Sequence, residues 1–133
     1  MPTTYTPKTE QKQIALGVEI AQTLNGGDIV LLHGELGTGK TTLSKGIAKG
    51  LGVAEEITSP TFAIMNMYEI KQPQSTIKNL IHVDTYRLEH EDELVDIGIE
   101  DYLANPETIC IIEWPEKIEN LLQNKTVKNI TIK

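Results

Sequence analysis

Gly34-Glu35-Leu36-Gly37-Thr38-Gly39-Lys40-Thr41 decides how the rest of this 133-residue chain is read. The stretch fits G-x-x-x-x-G-K-[ST], the Walker A phosphate-binding loop. Its glycines let backbone N–H groups turn inward around an anion, where side chains would obstruct them. Lys40 is expected to reach the β- and γ-phosphates, and the Thr41 hydroxyl to ligate Mg²⁺. A helix beginning here adds the positive end of its dipole. The surroundings agree with the motif. Asp28-Ile29-Val30-Leu31-Leu32-His33 precedes it and reads as a buried parallel strand. Thr41 to Leu51 follows, reads as a helix with Leu43, Ile47 and Leu51 four apart, and ends at Gly52. Strand, loop and helix thus come in the required order.

The totals set limits. The length suits a single domain over 1–133 with a real core. No apolar run approaches the roughly 20 residues of a membrane span, and the N-terminus lacks a signal-peptide core. One cysteine, Cys110, excludes an internal disulfide and a thiolate metal cluster. The expected location is therefore cytoplasmic, with no membrane association. The net charge of −7 argues against strong nucleic-acid binding by the chain itself, because that affinity comes from Lys and Arg displacing counterions. Arg87 is the only arginine.

Outward from the loop, Thr3 to Thr6 reads as a short edge strand. Thr9 is placed to cap a helix from Glu10 to Leu24, stopped by Asn25-Gly26-Gly27. Its apolar positions Ile14, Val18, Ala21 and Leu24 predict a helix that covers the sheet. Ile57-Thr58-Ser59-Pro60-Thr61 is a hydroxyl-rich loop where many nucleotide enzymes carry a switch segment, although its composition equally suits an ordinary turn. Phe62 to Ile70 reads as extended, Lys71 to Ser75 as a hairpin tip and Lys78 to Asp84 as the returning strand. Along that strand His82 and Asp84 point one way, Ile81 and Val83 the other.

Asp84 closes the strand, where ligands of open parallel sheets sit, and suits either a Mg²⁺ or water contact or a local turn. Glu91 to Leu103, with six acids, predicts two short helices broken near Gly98, read first as a solvated surface and second as a partner surface. Thr108 to Ile112 is a second buried strand with Glu113 at its end, the pattern of a Walker B acid. Trp114-Pro115 turns into a helix through Leu122, and Thr126 to Lys133 reads as a last edge strand. Of Asp84 and Glu113, one would serve the metal and the other the attacking water. Spacing does not assign them.

A GTPase needs an Asn/Thr-Lys-x-Asp segment, and Asn124-Lys125-Thr126-Val127 lacks the Asp. No Asp-x-x-Gly follows either acidic strand end. A small-molecule kinase usually brings several arginines to the transferring phosphoryl group, and this chain has one. ATP hydrolysis, or ATP binding as a switch, is what remains.

Four blocks carry a resemblance: Gly34-Glu35-Leu36-Gly37-Thr38-Gly39-Lys40-Thr41-Thr42, Ser59-Pro60-Thr61-Phe62, His82-Val83-Asp84-Thr85-Tyr86-Arg87 and Glu113-Trp114-Pro115. In this order they resemble the signature blocks of the bacterial TsaE (YjeE) family, the ATPase component of tRNA threonylcarbamoyladenosine biosynthesis. Leu94-Val95-Asp96-Ile97-Gly98 is similar to a further family stretch. The resemblance implies an α/β P-loop NTPase fold, with parallel core strands flanked by antiparallel strands and helices on both faces. It implies ATP/ADP and Mg²⁺ as ligands, with nucleotide contacts from Glu35, Leu36, Gly37, Thr38, Gly39, Lys40, Thr41 and Thr42. Thr41 and Glu113 would stand at the metal, and Asp84 would be a metal-shell or water-orienting residue. Lys40, Asp84 and Glu113 would then form the catalytic set, Ser59 and Thr61 the switch loop, and Trp114 would lie beside the site.

The implied partners are TsaB and TsaD, which with this ATPase act on the adenosine beside the anticodon in tRNAs that read codons starting with A. TsaD would carry the transfer chemistry, and the ATPase would reset the complex between turnovers, meeting tRNA only through its partners. A weak, partner-stimulated ATPase is expected. Arg87 is either its charge stabiliser in cis or part of a structural ion pair. No motif reads the base, so Glu10 at the start of the first helix is the expected adenine contact. The rival readings are an interaction module ordered by ATP, with incidental hydrolysis, and a small-molecule kinase.

Overall fold

The computed structural model describes residues 3–35, 37–57 and 65–133. Its strands are β1 (Thr3–Tyr5), β2 (Ile29–His33), β3 (Met65–Glu69), β4 (Asn79–Asp84), β5 (Thr108–Glu113) and β6 (Val127–Ile132). They form one sheet in the order β1-β6-β2-β5-β4-β3. The two most apolar runs, β2 and β5, pair in parallel at its centre, where side chains are covered on both faces. Among the described strands only β3 runs antiparallel, against β4, so the antiparallel flank lies on one side. The other side ends in β1, parallel to β6.

The expected edge position of the last strand is corrected. β6 is an interior strand between β1 and β2. Its polar residues find partners there. Lys128 pairs with Asp28 at 3.1 Å and donates to Thr23 O, and Asn129 Oδ1 lies 2.8 Å from His33 Nε2.

Strand alternation divides the core. Val30, Leu32, Leu80, Ile109 and Ile111 point to a face covered by α1 (Glu10–Ala21) and α2 (Lys40–Leu51). Ile29, Leu31, Ile81, Val83, Cys110 and Ile112 point to the opposite face. That face is covered by α3 (Asp92–Asp96), two 3₁₀ turns (Ile99–Asp101 and Pro115–Ile118) and α4 (Glu119–Leu122). Each fully buried Leu or Ile contributes roughly 1.5–3 kcal/mol. The acidic segment breaks at Gly98, as expected, with φ +87°. The helix expected after Pro115 is a 3₁₀ turn leading into one short α-helix.

α1 starts at its cap, where Thr9 accepts from Lys12 N at 3.0 Å. It ends at Ala21, before the expected Leu24, and a single turn carries Leu24 N to Ala21 O. Besides covering the sheet it packs backbone to backbone on α2. A Cβ at Gly17 would fall 2.6 Å from Leu43 O, and one at Gly46 only 2.3 Å from Ile14 O. Among the described residues no helix is long and apolar enough to cross a membrane.

Candidate functional site

Parallel pairing lines up three strand ends. Leu32, near the end of β2, lies opposite Glu113 of β5, and Glu113 lies opposite Asp84 of β4. β2 then feeds the phosphate loop and β5 feeds Trp114. This is the carboxyl edge of the sheet, where open α/β folds bind ligands.

The loop enters α2 through Gly39, whose φ of +91° suits only glycine without strain, and no side chain caps the helix there. The first turn of α2 thus turns the positive end of the helix dipole toward the loop, where an anion would sit. Lys40 is buried at 5% exposure. Its Nζ donates to Gly34 O at 2.6 Å and to Glu35 O at 3.1 Å, and lies 4.0 Å from the centroid of the Trp114 ring. Burial holds the Lys40 pKa below its ordinary 10.5, and the carboxylates of Glu113, Asp84, Glu116 and Glu35 act the other way.

Facing Lys40 is a cleft of about 270 Å³ lined by Gly37, Thr41, Asp84 and Glu113, with Tyr86 and Trp114 as walls. Thr41 Oγ1 lies 3.4 Å from both carboxylate oxygens of Glu113. Glu113 is 2% exposed, and its Oε2 lies 2.5 Å from Nε2 of the fully buried His82. Among the described residues His82 Nδ1 has no hydrogen-bond partner. Asp84 is half-buried and its Oδ1 accepts from Tyr86 N at 3.0 Å, so it both caps a turn and faces the cleft. Thr85 ties the two strand ends together: its hydroxyl donates to Glu113 O at 3.0 Å and also to Trp114 O. Trp114 stands at φ +61°, a left-handed backbone that turns its ring onto Lys40. A second cleft, of about 720 Å³, opens across Gly34, Glu35, Thr38, Trp114 and Lys133.

Thr41, Asp84 and Glu113 offer only hard oxygen donors. Among the described residues no three or more His, Cys, Asp or Glu side chains form a metal cage. Such a sparse oxygen set fits Mg²⁺, which keeps waters and takes phosphate oxygens as ligands.

The expected residues divide as follows. Gly37, Gly39, Lys40, Thr41, Asp84, Glu113 and Trp114 converge on the smaller cleft. Glu35 and Thr38 line the larger one. Thr42 lies on α2 and lines neither. Glu10 is exposed in the first turn of α1. Leu36, Ser59 and Thr61 lie outside the described residues. Arg87 is exposed and makes no ion pair among the described residues.

Sequence reasoning assigned no role to three residues. His82 and Thr85 were visible in the same block as Asp84, and the alternation of β4 already put His82 on Asp84's side. Gln13 gave no signal. It is buried on α1, and its Nε2 donates to Thr38 O at 2.9 Å and Gly39 O at 2.8 Å.

The family model described as "Threonylcarbamoyl adenosine biosynthesis protein TsaE" matches residues 7–133. The chain is similar to the tRNA threonylcarbamoyladenosine biosynthesis protein TsaE of Bacillus subtilis, with 40% identity over 102 residues. That match covers 77% of this chain and 60% of the relative, so the chain spans about three fifths of that protein's length. Against the TsaE protein of Treponema pallidum identity is 36% over 120 residues, covering 90% of this chain and 84% of the relative. Among solved structures, the crystal structure of Bacillus subtilis YdiB superposes with a TM-score of 0.62 at 31% identity. It covers 86% of this chain and 65% of that one.

Proposed function

The chain belongs to the TsaE family, and from that premise we propose that it binds and hydrolyses Mg-ATP in the formation of tRNA N6-threonylcarbamoyladenosine. The relatives are named for that pathway. The observation that carries the ATPase reading is the meeting of Thr41 and Glu113 at 3.4 Å, with Asp84 next in register and Lys40 in the same cleft.

In this reading the amides of the loop and of the first turn of α2 hold the β- and γ-phosphates. Lys40 moves its ammonium from the carbonyls of Gly34 and Glu35 onto the phosphate oxygens, a short swing for a flexible stem. Thr41 and Glu113 would hold Mg²⁺, which would supply neutralisation of the charge that develops on the phosphates. Asp84, more exposed than Glu113 and one strand further out, is left to orient the attacking water. Trp114 and Tyr86 wall the cleft against bulk water, their rings 5.0 Å apart.

No arginine is held in the cleft, and Arg87 points its charge to solvent. Arginine supplied to such a site is worth about 10³–10⁵ in rate. The lone chain should therefore turn over slowly, and partners equivalent to TsaB and TsaD should accelerate it by ordering the site or adding a basic group. Hydrolysis is the resetting step between turnovers of the transferase, and tRNA contact is left to the partners of this acidic chain.

The experiment is kcat for ATP with the chain alone and with purified TsaB and TsaD, repeated with Arg87→Ala. Slow hydrolysis raised at least tenfold by the partners is expected. Fast hydrolysis that partners leave unchanged would refute the resetting role. Repeated transferase turnover supported by a variant that binds but cannot hydrolyse ATP would favour a nucleotide-ordered docking module instead.

A further inference from the structure

We propose that Gln13 is a positioning residue for phosphate binding: from α1 it holds the carbonyls of Thr38 and Gly39 outward, so that the next two amides face the anion. The inference rests on the nucleotide-binding reading above.

A peptide unit is planar and trans, so the C=O of one residue and the N–H of the next point in opposite directions. Fixing Thr38 O outward therefore turns the Gly39 N–H inward, and fixing Gly39 O outward does the same for the Lys40 N–H. Gln13 Nε2 donates to both carbonyls, at 2.9 and 2.8 Å. Gly39 O also accepts from Leu43 N at 3.0 Å, which seats it in the first turn of α2. Among the described residues the loop's own bonds tie the Thr38 N–H and hydroxyl to Glu35 O but leave the carbonyls of Thr38 and Gly39 to Gln13 and Leu43, while Gly37 and Gly39 have the freest backbones of any residue type and both sit at positive φ. A loop with a flipped Thr38–Gly39 peptide would aim a carbonyl dipole at the phosphates.

The donor is itself held. Gln13 is 8% exposed, and α1 is locked on α2 by close approaches at Gly17 and Gly46. Gly39 leaves the space that the amide occupies: a Cβ there would fall 2.4 Å from Gln13 Nε2. Gly39 is thus glycine for two reasons, its dihedral and the room it leaves for Gln13. The helix that precedes the loop in sequence is part of its scaffold.

Gln13 touches no phosphate, and the amides it orients serve the bound substrate and the transition state alike. Its loss should weaken binding and raise KM while leaving kcat near its starting value. A residue that merely stabilised the fold would lower the melting temperature without that split.

The test uses Gln13→Met, which keeps length and loses the donor, and Gln13→Asn, which keeps the amide but cannot reach. Both are titrated, as the full chain, with ADP, ATP and inorganic pyrophosphate. Backbone amide shifts of Gly39 and Lys40 are followed by NMR during the pyrophosphate titration. Both variants should bind all three probes about tenfold or more weaker than the parent, with KM raised, kcat within about twofold and smaller shifts at the two amides. Parent-like affinity for pyrophosphate in either folded variant would overturn the proposal. So would a loss that only follows the fraction of unfolded protein. A parent chain that binds none of the probes would instead sink the nucleotide reading itself.

Discussion

Lys40 keeps its charge where water is scarce. Its amine is buried, and desolvation lowers its pKa from 10.5. The folded-state penalty is present at neutral pH and fades as pH rises toward 10.5, where the unfolded side chain also loses its proton. Lys40→Met should therefore weaken ADP binding by 10-fold to 100-fold, the worth of a charge-assisted contact. The stability difference between parent and variant should shift in the parent's favour between pH 7 and pH 10. Calorimetric titration and urea unfolding at the two pH values check both parts.

Glu113 and His82 form a buried pair. Glu113→Gln should slow hydrolysis at least tenfold while nucleotide binding changes little, because Lys40, Thr41 and the loop amides remain. His82→Phe removes the partner 2.5 Å from Oε2 and leaves that buried oxygen only its 3.4 Å contact with Thr41 Oγ1, at a cost of about 1–3 kcal/mol. Comparing kcat, Kd and urea midpoints across the two variants separates the effects. Trp114 is the only tryptophan and its ring lies 4.0 Å from Lys40 Nζ. Its fluorescence should change on saturation with ADP, and an unchanged spectrum would contradict movement of Lys40 away from the ring.

At the scale of elements, the α1–α2 contact is a pair of backbones with almost nothing between them. Gly46→Val adds three carbons where Ile14 O lies 2.3 Å from an added Cβ. Overpacking of this kind costs about 1–3 kcal/mol. Because Gln13 sits one turn before Gly17 on the same helix, the variant should also bind ADP more weakly than its lost stability explains. Thermal unfolding with and without ADP measures both.

The strands β2 and β5 were legible because continuous apolar runs have few other uses, β4 because Ile81 and Val83 alternate with His82 and Asp84, and the helix after the loop because Leu43, Ile47 and Leu51 repeat at helical spacing. β6 misled because Lys128 and Asn129 look like solvent-facing residues of an edge. Their partners, Asp28 and His33, are distant in sequence. Gln13 was hidden for the same reason: a polar residue on an amphipathic helix reads as surface until the loop folds onto it.

Across the whole molecule, Cys110 shows how closely the sheet is covered. It lies in β5 opposite Ile29 on one side and Ile81 on the other, and burial pushes its thiol up to about 12. The unfolded thiol ionises near 9.0. Stability from this group is intact below that pH and is lost as pH rises toward 12, by up to about 1.4 kcal/mol per pH unit. Cys110→Ala should flatten that part of the alkaline decline relative to the parent, as urea unfolding at pH 8, 9 and 10 would show. The phosphate loop and both strand-end carboxylates were legible from motif and position.

The strand order also carries a kinetic consequence. Among the described residues β1 pairs only with β6, Thr3 opposite Ile130, and β6 alone bridges β1 to β2. The first strand thus finds no hydrogen-bonding neighbour until the last has docked. Bringing such distant segments together costs loop-closure entropy before any contact repays it. β2, β5, β4 and β3 should assemble first, and the β6–β1 margin should zip on afterwards in a separate, slower phase. Pulsed hydrogen exchange during refolding would then protect the amides of Val30 and Ile111 before those of Thr4 and Ile130.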